Sequence, residues 1–186
     1  MLTLDQIDWQ DVPLYRDVRV SGQFSVPMVF LLDNQTLAGQ FGYEVWSLMS
    51  TPVGNLALSL GWVAGDYDRS VLPSIELPQN VTEARVTLRP APKNALFDVD
   101  SNLAQANATD RWVVQGLSTD WLEQQLGTPV LAFGQLLDST EQGLGPNIWQ
   151  ASVMTPAKHL AYAIQWFSMA VVLLCMFLYA GFKTNN

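Results

Sequence analysis

Short apolar runs separated by glycine, proline, asparagine and aspartate occupy the chain up to about residue 157. This pattern is typical of a β-rich domain, because strands are short and turns favour those four residue types. It predicts a mainly β (α+β) domain with a barrel-like sheet. The predicted strands are Tyr15–Phe24, Met28–Asp33, Tyr43–Met49, Asn55–Val63, Ala84–Leu88, Arg111–Leu117 and Val130–Leu137.

Alternation is clearest in Arg16–Ser21, where Val18 and Val20 alternate with polar residues. Because successive side chains of a strand point to opposite faces, we expect this strand to be buried on one face only. Two segments lack such a pattern and are predicted to be irregular. Asn94–Asp110 is expected to form a polar loop, and Asp138–Asn147 a linker toward the segment that follows the domain.

One short helix is predicted at Ser118–Leu126. Ser118 can cap its N-terminus, and Gly127 with Pro129 two residues later ends it. We expect this helix to pack on the sheet through its apolar side chains, which are Trp121, Leu122 and Leu126.

The pattern changes after Lys158. His159–Phe182 is a run of 24 residues without a carboxylate, lysine or arginine. A helix of that length spans about 36 Å, which is enough to cross a hydrocarbon core of about 30 Å. We therefore predict an extramembrane domain at 1–157, a transmembrane helix at 158–183 and a short polar tail at 184–186.

Composition and charge narrow the possible functions. All 17 acidic residues lie between Asp5 and Glu141, and residues 1–157 contain 7 basic residues, which gives them a net charge of −10. Such a domain repels phosphates, so we expect no nucleic-acid partner. The only cysteine is Cys175, and the only histidine is His159. These counts exclude an internal disulfide and a zinc site made of the usual His and Cys ligands.

His159 is the first candidate for chemistry, because it opens the apolar segment. On a helix it shares a face with Ala163 and Trp166, and Tyr162 flanks the same side. An imidazole beside small and aromatic side chains can bind haem iron while the flat macrocycle lies along the helix. The alternative is an interfacial histidine that is hydrogen-bonded to water or to the domain.

Enzyme motifs are absent from the sequence, which has no nucleophile elbow and no phosphate-binding glycine loop. Asp66 and Asp68, close to Arg69, leave acid–base chemistry formally open. Carboxylates in a turn are more often solvated or ion-paired, so we expect the protein not to be an enzyme.

Several segments, taken in chain order, form a more specific pattern: Tyr15–Phe24, Leu32–Gln35, Gly42–Val45, Gly61–Val63 with Arg69 and Leu72–Pro73, and His159–Phe167. Together they resemble the surfeit locus protein 1 family of cytochrome c oxidase assembly proteins. Each motif is short, but the ordered set covers nearly the whole chain and ends in His-x-x-Tyr-Ala-x-x-Trp-Phe.

The resemblance implies a membrane-anchored helper that assists the binding or insertion of haem a into the core subunit of haem–copper oxidase. Its partners would be that core subunit, other assembly factors and the lipid bilayer. The β domain would lie on the periplasmic or outer side of the bacterial inner membrane. Haem a would be a transient cofactor, with His159 as the iron ligand and Tyr162 and Trp166 against the macrocycle.

A surface of the β domain would dock on the client, and the sequence suggests four residues for it: Gly61, Trp62, Asp66 and Arg69. Two features depart from the family. The first of its two membrane helices has no counterpart in Met1–Val12, from which we expect a missing N-terminal segment. Ala157–Lys158 also differ from the asparagine-rich segment expected before His159.

A second hypothesis stays open. A tail-anchored β domain that lies in the cytoplasm could recruit a partner to the membrane, or serve a structural role there, without any cofactor. A hydrolase that uses Asp66 or Asp68 is a more distant third.

Overall fold

The computed structural model describes residues 2–24, 28–66, 69, 71–78, 81–93, 105–107, 111–137, 144–151 and 156–184. The chain forms two compact units, residues 1–149 and 150–186. The strands are β1 Leu2–Thr3, β2 Asp17–Gly22, β3 Val29–Leu37, β4 Gln40–Thr51, β5 Gly54–Ala64, β6 Val81–Arg89, β7 Gln105–Asn107, β8 Arg111–Val114 and β9 Val130–Leu136. The helices are α1 Thr119–Leu126 and α2 Pro156–Thr184, and a 3-10 turn covers Leu4–Gln6.

The first unit is built on one nine-stranded sheet in the order β1-β2-β6-β9-β5-β4-β3-β8-β7. Strand residues make up 41% of the chain, so the predicted mainly β fold is confirmed, as are the short helix and the apolar C-terminal helix. Each of the seven predicted strands has an observed counterpart, with ends that differ by a few residues.

Two observed strands were not predicted. Most of the segment expected to be a polar loop, Asn94–Asp110, lies outside the described residues, but Gln105–Asn107 within it forms β7 against β8. The sequence of β7 has no apolar alternation that could have predicted a strand. β7 lies at the end of the sheet and is held there by backbone pairing with β8. β1 has two residues and pairs in parallel with β2, which is too short for any periodic signal.

Both faces of the central strand β5 are buried. Leu56, Leu58 and Leu60 belong to one apolar cluster, which also contains Val18 and Val20 of β2. Ala57 belongs to a second cluster, whose other members include Phe30, Trp46, Leu122 and Phe133. A strand that is covered on both sides reads as a nearly continuous apolar run, as β5 does.

The local predictions for β2 and α1 are confirmed. Val18 and Val20 are buried, and the residues between and beside them are exposed. At α1, the Ser118 hydroxyl accepts a hydrogen bond from the Trp121 amide, and Gly127 ends the helix in the left-handed conformation. Leu122 is buried, and Trp121 and Leu126 pack against the same cluster.

Two β-bulges lie on either side of Glu44 in β4. In β3, Asp33 and Asn34 together oppose one residue of β4, Tyr43. In β5, Leu60 and Gly61 together oppose Val45. A bulge redirects side chains and is often found beside a functional site, so this part of the sheet is a candidate location for one.

Gly61 sits in its bulge at a φ of 105°, which favours glycine. The segment after β9 crosses the bulge: the Leu144 amide donates to the carbonyl of Leu60, and the Trp62 amide donates to that of Pro146. A Cβ on Gly61 would overlap the backbone of Gly145, and a Cβ on Gly145 would overlap that of Trp62. The glycines therefore allow the segment 144–149, called here the connector, to lie directly on β5.

We expect Gly61→Ala to lower the free energy of unfolding of the β domain by about 2–4 kcal/mol, from backbone strain and from displacement of the connector. Gly39→Ala is the matched control, because Gly39 also has a positive φ but open space at its Cβ. That change should cost about 1 kcal/mol. Denaturant unfolding of the full chain in detergent, followed by near-UV circular dichroism, measures both. Equal losses would contradict a packing role for the glycine pair.

Candidate functional site

The chain's only histidine lies in the first turn of α2, a helix long and apolar enough to cross a membrane over Pro156–Lys183. The side chains of His159, Tyr162 and Trp166 are exposed on this helix. His159 and Trp166 are seven residues apart, so they lie on one face, about 10 Å apart along the axis. The small side chain of Ala163 lies between them on that face.

This stripe fits a haem better than a bare metal ion. Among the residues that the structure describes, there is no group of three or more His, Cys, Asp and Glu side chains able to hold a metal. A haem brings its own four nitrogen ligands and needs one axial imidazole from the protein. His159 would supply that ligand, and Tyr162 and Trp166 would contact the macrocycle.

A polar cluster occupies the β3 bulge in the first unit. The Asp33 carboxylate is largely buried. Its Oδ2 accepts hydrogen bonds from Nη1 of Arg69 at 3.2 Å and from Nε2 of Gln115 at 3.0 Å. The Asn34 side chain completes the cluster: it donates to Gln115 and accepts from Arg69. The bulge thus joins β3, the residue after β8 and the turn that contains Arg69.

Arg69 is half exposed, and its backbone has a φ of 58°, which is unusual for a residue other than glycine. Its amide donates to the carbonyl of Asp66, which closes the turn. Its guanidinium lies 4.2 Å from the ring centre of Phe41, in cation–π geometry. Held by an ion pair, a ring and a turn, Arg69 presents one fixed cation at the surface.

Tyr43 lies opposite the β3 bulge and responds to the same charges. Burial raises the pKa of its hydroxyl above the ordinary value, the charge of Asp33 raises it further and that of Arg69 lowers it. Tyr43 therefore stays neutral at physiological pH and contributes packing, with its ring edge-on to Phe41 at 5.1 Å.

The residue of β4 that follows Tyr43, Glu44, forms a buried ion pair with Arg89. Nη1 of Arg89 donates to Oε1 of Glu44 at 2.7 Å, and both side chains are at least 95% buried. The Ser59 hydroxyl donates to the same oxygen at 2.7 Å. Burial lowers the pKa of Arg89, and Glu44 opposes that shift. The pair links β4, β5 and β6 across the sheet.

Two tryptophan rings lie close to the Arg89 guanidinium. Its carbon lies 5.0 Å from the ring centre of Trp46 and 4.5 Å from that of Trp149. Trp149 belongs to the connector, which is also held by a hydrogen bond from the Asn147 side chain to the carbonyl of Leu136 at 2.8 Å. The connector therefore closes the ion pair from water at the end of the first unit.

The structure places the predicted docking residues at two depths. Asp66 and Arg69 are exposed, and Asp68 lies outside the described residues. Gly61 and Trp62 are buried, and the Trp62 indole donates to the carbonyl of Gln35 at 3.4 Å. Trp62 therefore stabilises the β3 bulge through this hydrogen bond to the residue that follows it. These β-domain residues form a separate candidate site from the stripe on α2.

Sequence reasoning did not single out Asp33, Gln115, Glu44 or Arg89 as site residues. A signal existed for Glu44, because it is a carboxylate inside a predicted strand whose neighbours are almost all apolar. The other three reach their partners over 36 or more residues of sequence, and no local pattern indicates such a pairing.

A family model provides the deciding comparison: the model of the SURF1 family matches residues 2–171. The chain belongs to the SURF1 family. This is the surfeit locus protein 1 family, whose members are known as cytochrome c oxidase assembly factors, so the resemblance seen in the sequence is confirmed. None of the curated proteins that were compared matches the chain significantly.

SURF1 membership implies a role in cytochrome c oxidase assembly. Members of the family are assembly factors and not catalysts. The match includes the β domain and the first half of α2, with His159, Tyr162 and Trp166. The apolar helix makes this SURF1 member a membrane protein with a transmembrane helix.

The buried ion pair generates a stability prediction. Glu44→Gln leaves a buried, uncompensated arginine, so we expect the free energy of unfolding to fall by about 3–5 kcal/mol. The matched control is Glu83→Gln, which removes the carboxylate of an exposed pair with Arg19. That change should cost about 0.5 kcal/mol or less. Urea unfolding of the two variants in the full chain measures the difference.

A second change separates charge from packing. Adding Arg89→Met to Glu44→Gln removes the unpaired cation, so part of the lost stability should return. If the double variant were less stable than Glu44→Gln alone, contacts of the guanidinium with the tryptophans would outweigh its charge.

Proposed function

We propose that this SURF1 member binds haem a through His159 and assists its delivery to the core subunit of cytochrome c oxidase. The observation that carries the proposal is the position of the chain's only histidine on an exposed, otherwise apolar helix face, within the region that the family model matches. Bound haem would supply the iron, and His159 would be the residue of this chain that holds it.

Each residue of the stripe has a distinct part in this proposal. A ring nitrogen of His159 would hold the haem by donating its lone pair to the iron. Trp166 and Tyr162 offer flat aromatic surface to an apolar ring, and Ala163 leaves room for it. A single imidazole gives a bond that can exchange, which suits a carrier that must release its cargo.

The β domain would engage the client through the exposed turn of Asp66 and Arg69, which the β3 bulge holds in place through Asp33 and Asn34. No partner of the Asp66 carboxylate appears among the described residues, whereas Arg69 is held by Asp33 and Phe41. The turn thus offers one anion and one fixed cation to a complementary surface. We propose that this domain lies on the outer side of the bacterial inner membrane, as the family resemblance implies.

The haem proposal is tested with the full chain purified in detergent from cells that make haem a. His159→Ala should lower the haem absorbance per protein at least tenfold, because the axial ligand is lost. Trp166→Ala should lower it less. The matched control is Gln165→Ala, since Gln165 is also exposed but lies about 120° around the helix from His159. An unchanged spectrum in His159→Ala would rule out His159 as the iron ligand, and a lack of haem absorbance in the unmutated chain would favour an assembly factor that anchors and recruits without a cofactor.

The docking proposal has its own test. Asp66→Arg reverses the charge on the exposed turn and should reduce co-purification of the oxidase core subunit at least threefold, while haem content and thermal stability stay unchanged. Asp11→Arg, the same reversal at another exposed position, should leave co-purification as it is. Equal effects of both reversals would point to overall charge and would contradict a specific surface at Asp66 and Arg69.

A further inference from the structure

The ring of Tyr15 is exposed to solvent, and the backbone of Tyr15 is strained. Its side chain is 54% exposed although its φ is 64°, a conformation that a large residue other than glycine rarely adopts. Backbone hydrogen bonds hold it there: its amide donates to the carbonyl of Leu88, and the Leu88 amide donates to that of Arg16. Strain of this kind persists where the surrounding structure enforces it, and it is concentrated at functional sites.

The Tyr15 ring stacks on Trp149, with ring centres 6.1 Å apart and planes within 9° of parallel. Trp149 in turn rests on the buried Arg89. The two rings therefore form a rigid aromatic pair on a fixed base. Such a pair loses little conformational freedom when something binds to it.

Apolar residues continue this surface. Leu2 and Leu14 are 38% and 42% exposed, and a shallow groove is lined by Leu2, Pro13, Tyr15, Arg16 and Asp17. We call the set of Leu2, Pro13, Leu14, Tyr15 and Trp149 the Tyr15 patch.

We propose that the Tyr15 patch inserts into the headgroup region of the lipid bilayer. The patch ends at Trp149, and Pro156, which opens the membrane-spanning helix, follows seven residues later in the sequence, so only a short stretch of chain separates the patch from the membrane anchor. Tyrosine and tryptophan combine an apolar ring with a polar tip, and they concentrate at membrane–water interfaces for that reason.

Because the chain attaches the β domain to a membrane helix, a small patch can be enough for lipid binding. The chain already holds the domain at the membrane, so insertion is an intramolecular event at an effective concentration of about millimolar, and weak contacts become significant. The domain's negative charge is repelled by anionic lipids. The contact must then rest on apolar and aromatic side chains, and it should form on zwitterionic lipid and be insensitive to salt.

The test uses the full chain without haem in phosphatidylcholine nanodiscs, in a Cys175→Ala background. A nitroxide is attached to Leu14→Cys in one sample and to Val71→Cys in the other. Val71 is the control, because it is an apolar residue that is 63% exposed outside the patch. Power-saturation electron paramagnetic resonance measures collision of each label with oxygen, which enters lipid, and with a nickel chelate, which stays in water.

We expect the label at position 14 to favour oxygen over the nickel chelate at least threefold more than the label at position 71. Adding Tyr15→Gly should reduce that preference, since glycine keeps the positive φ and only the ring is lost. Water-like collision at both positions in phosphatidylcholine would overturn the proposal, and so would an oxygen preference at position 14 that appears only in nanodiscs with added phosphatidylglycerol. Because no haem is present, the result is independent of the role of His159.

Discussion

The buried ion pair of Glu44 and Arg89 is the constraint on which the rest of the β domain depends. A buried charge is tolerated only when it is paired and hydrogen-bonded. Glu44 meets this condition through Arg89 and Ser59, which fixes the positions of β5 and β6 relative to β4. The pair adds little stability by itself, but any shift of these strands that separates the two charges is strongly unfavourable.

The bulges and the connector follow from this constraint. The ion pair needs a cover on its open side, and Trp149 supplies it. For the connector to reach that position it must cross β5 closely, which the glycines at positions 61 and 145 allow. The β3 bulge begins directly after Leu32, the residue that pairs with Glu44 in the sheet. It turns Asp33 and Asn34 toward Arg69. A structural requirement in the core thus determines which side chains the surface presents.

The sequence predicts the elements of this domain well, because alternation in β2 and capping in α1 are local signals. The stripe on α2 could also be predicted, since helix periodicity alone places His159, Tyr162 and Trp166. The polar clusters could not. Asp33 and Gln115 meet across 82 positions, and nothing in either segment indicates the other. Trp62 and Gly61 were expected in a docking surface but are buried, because both faces of β5 are covered there and the connector lies directly on Gly61.

In the proposed function, the two units divide the properties that a haem carrier needs. Binding an apolar macrocycle by one imidazole calls for an exposed apolar helix, where a folded pocket would slow release. Selecting a client calls for fixed charges, which a helix in lipid cannot display without a large desolvation cost. The rigid β domain can display them, since Asp33 and Phe41 hold Arg69 in one orientation. A chain that separates these tasks can change its client surface without altering its ligand, and this separation needs no catalytic group in either unit.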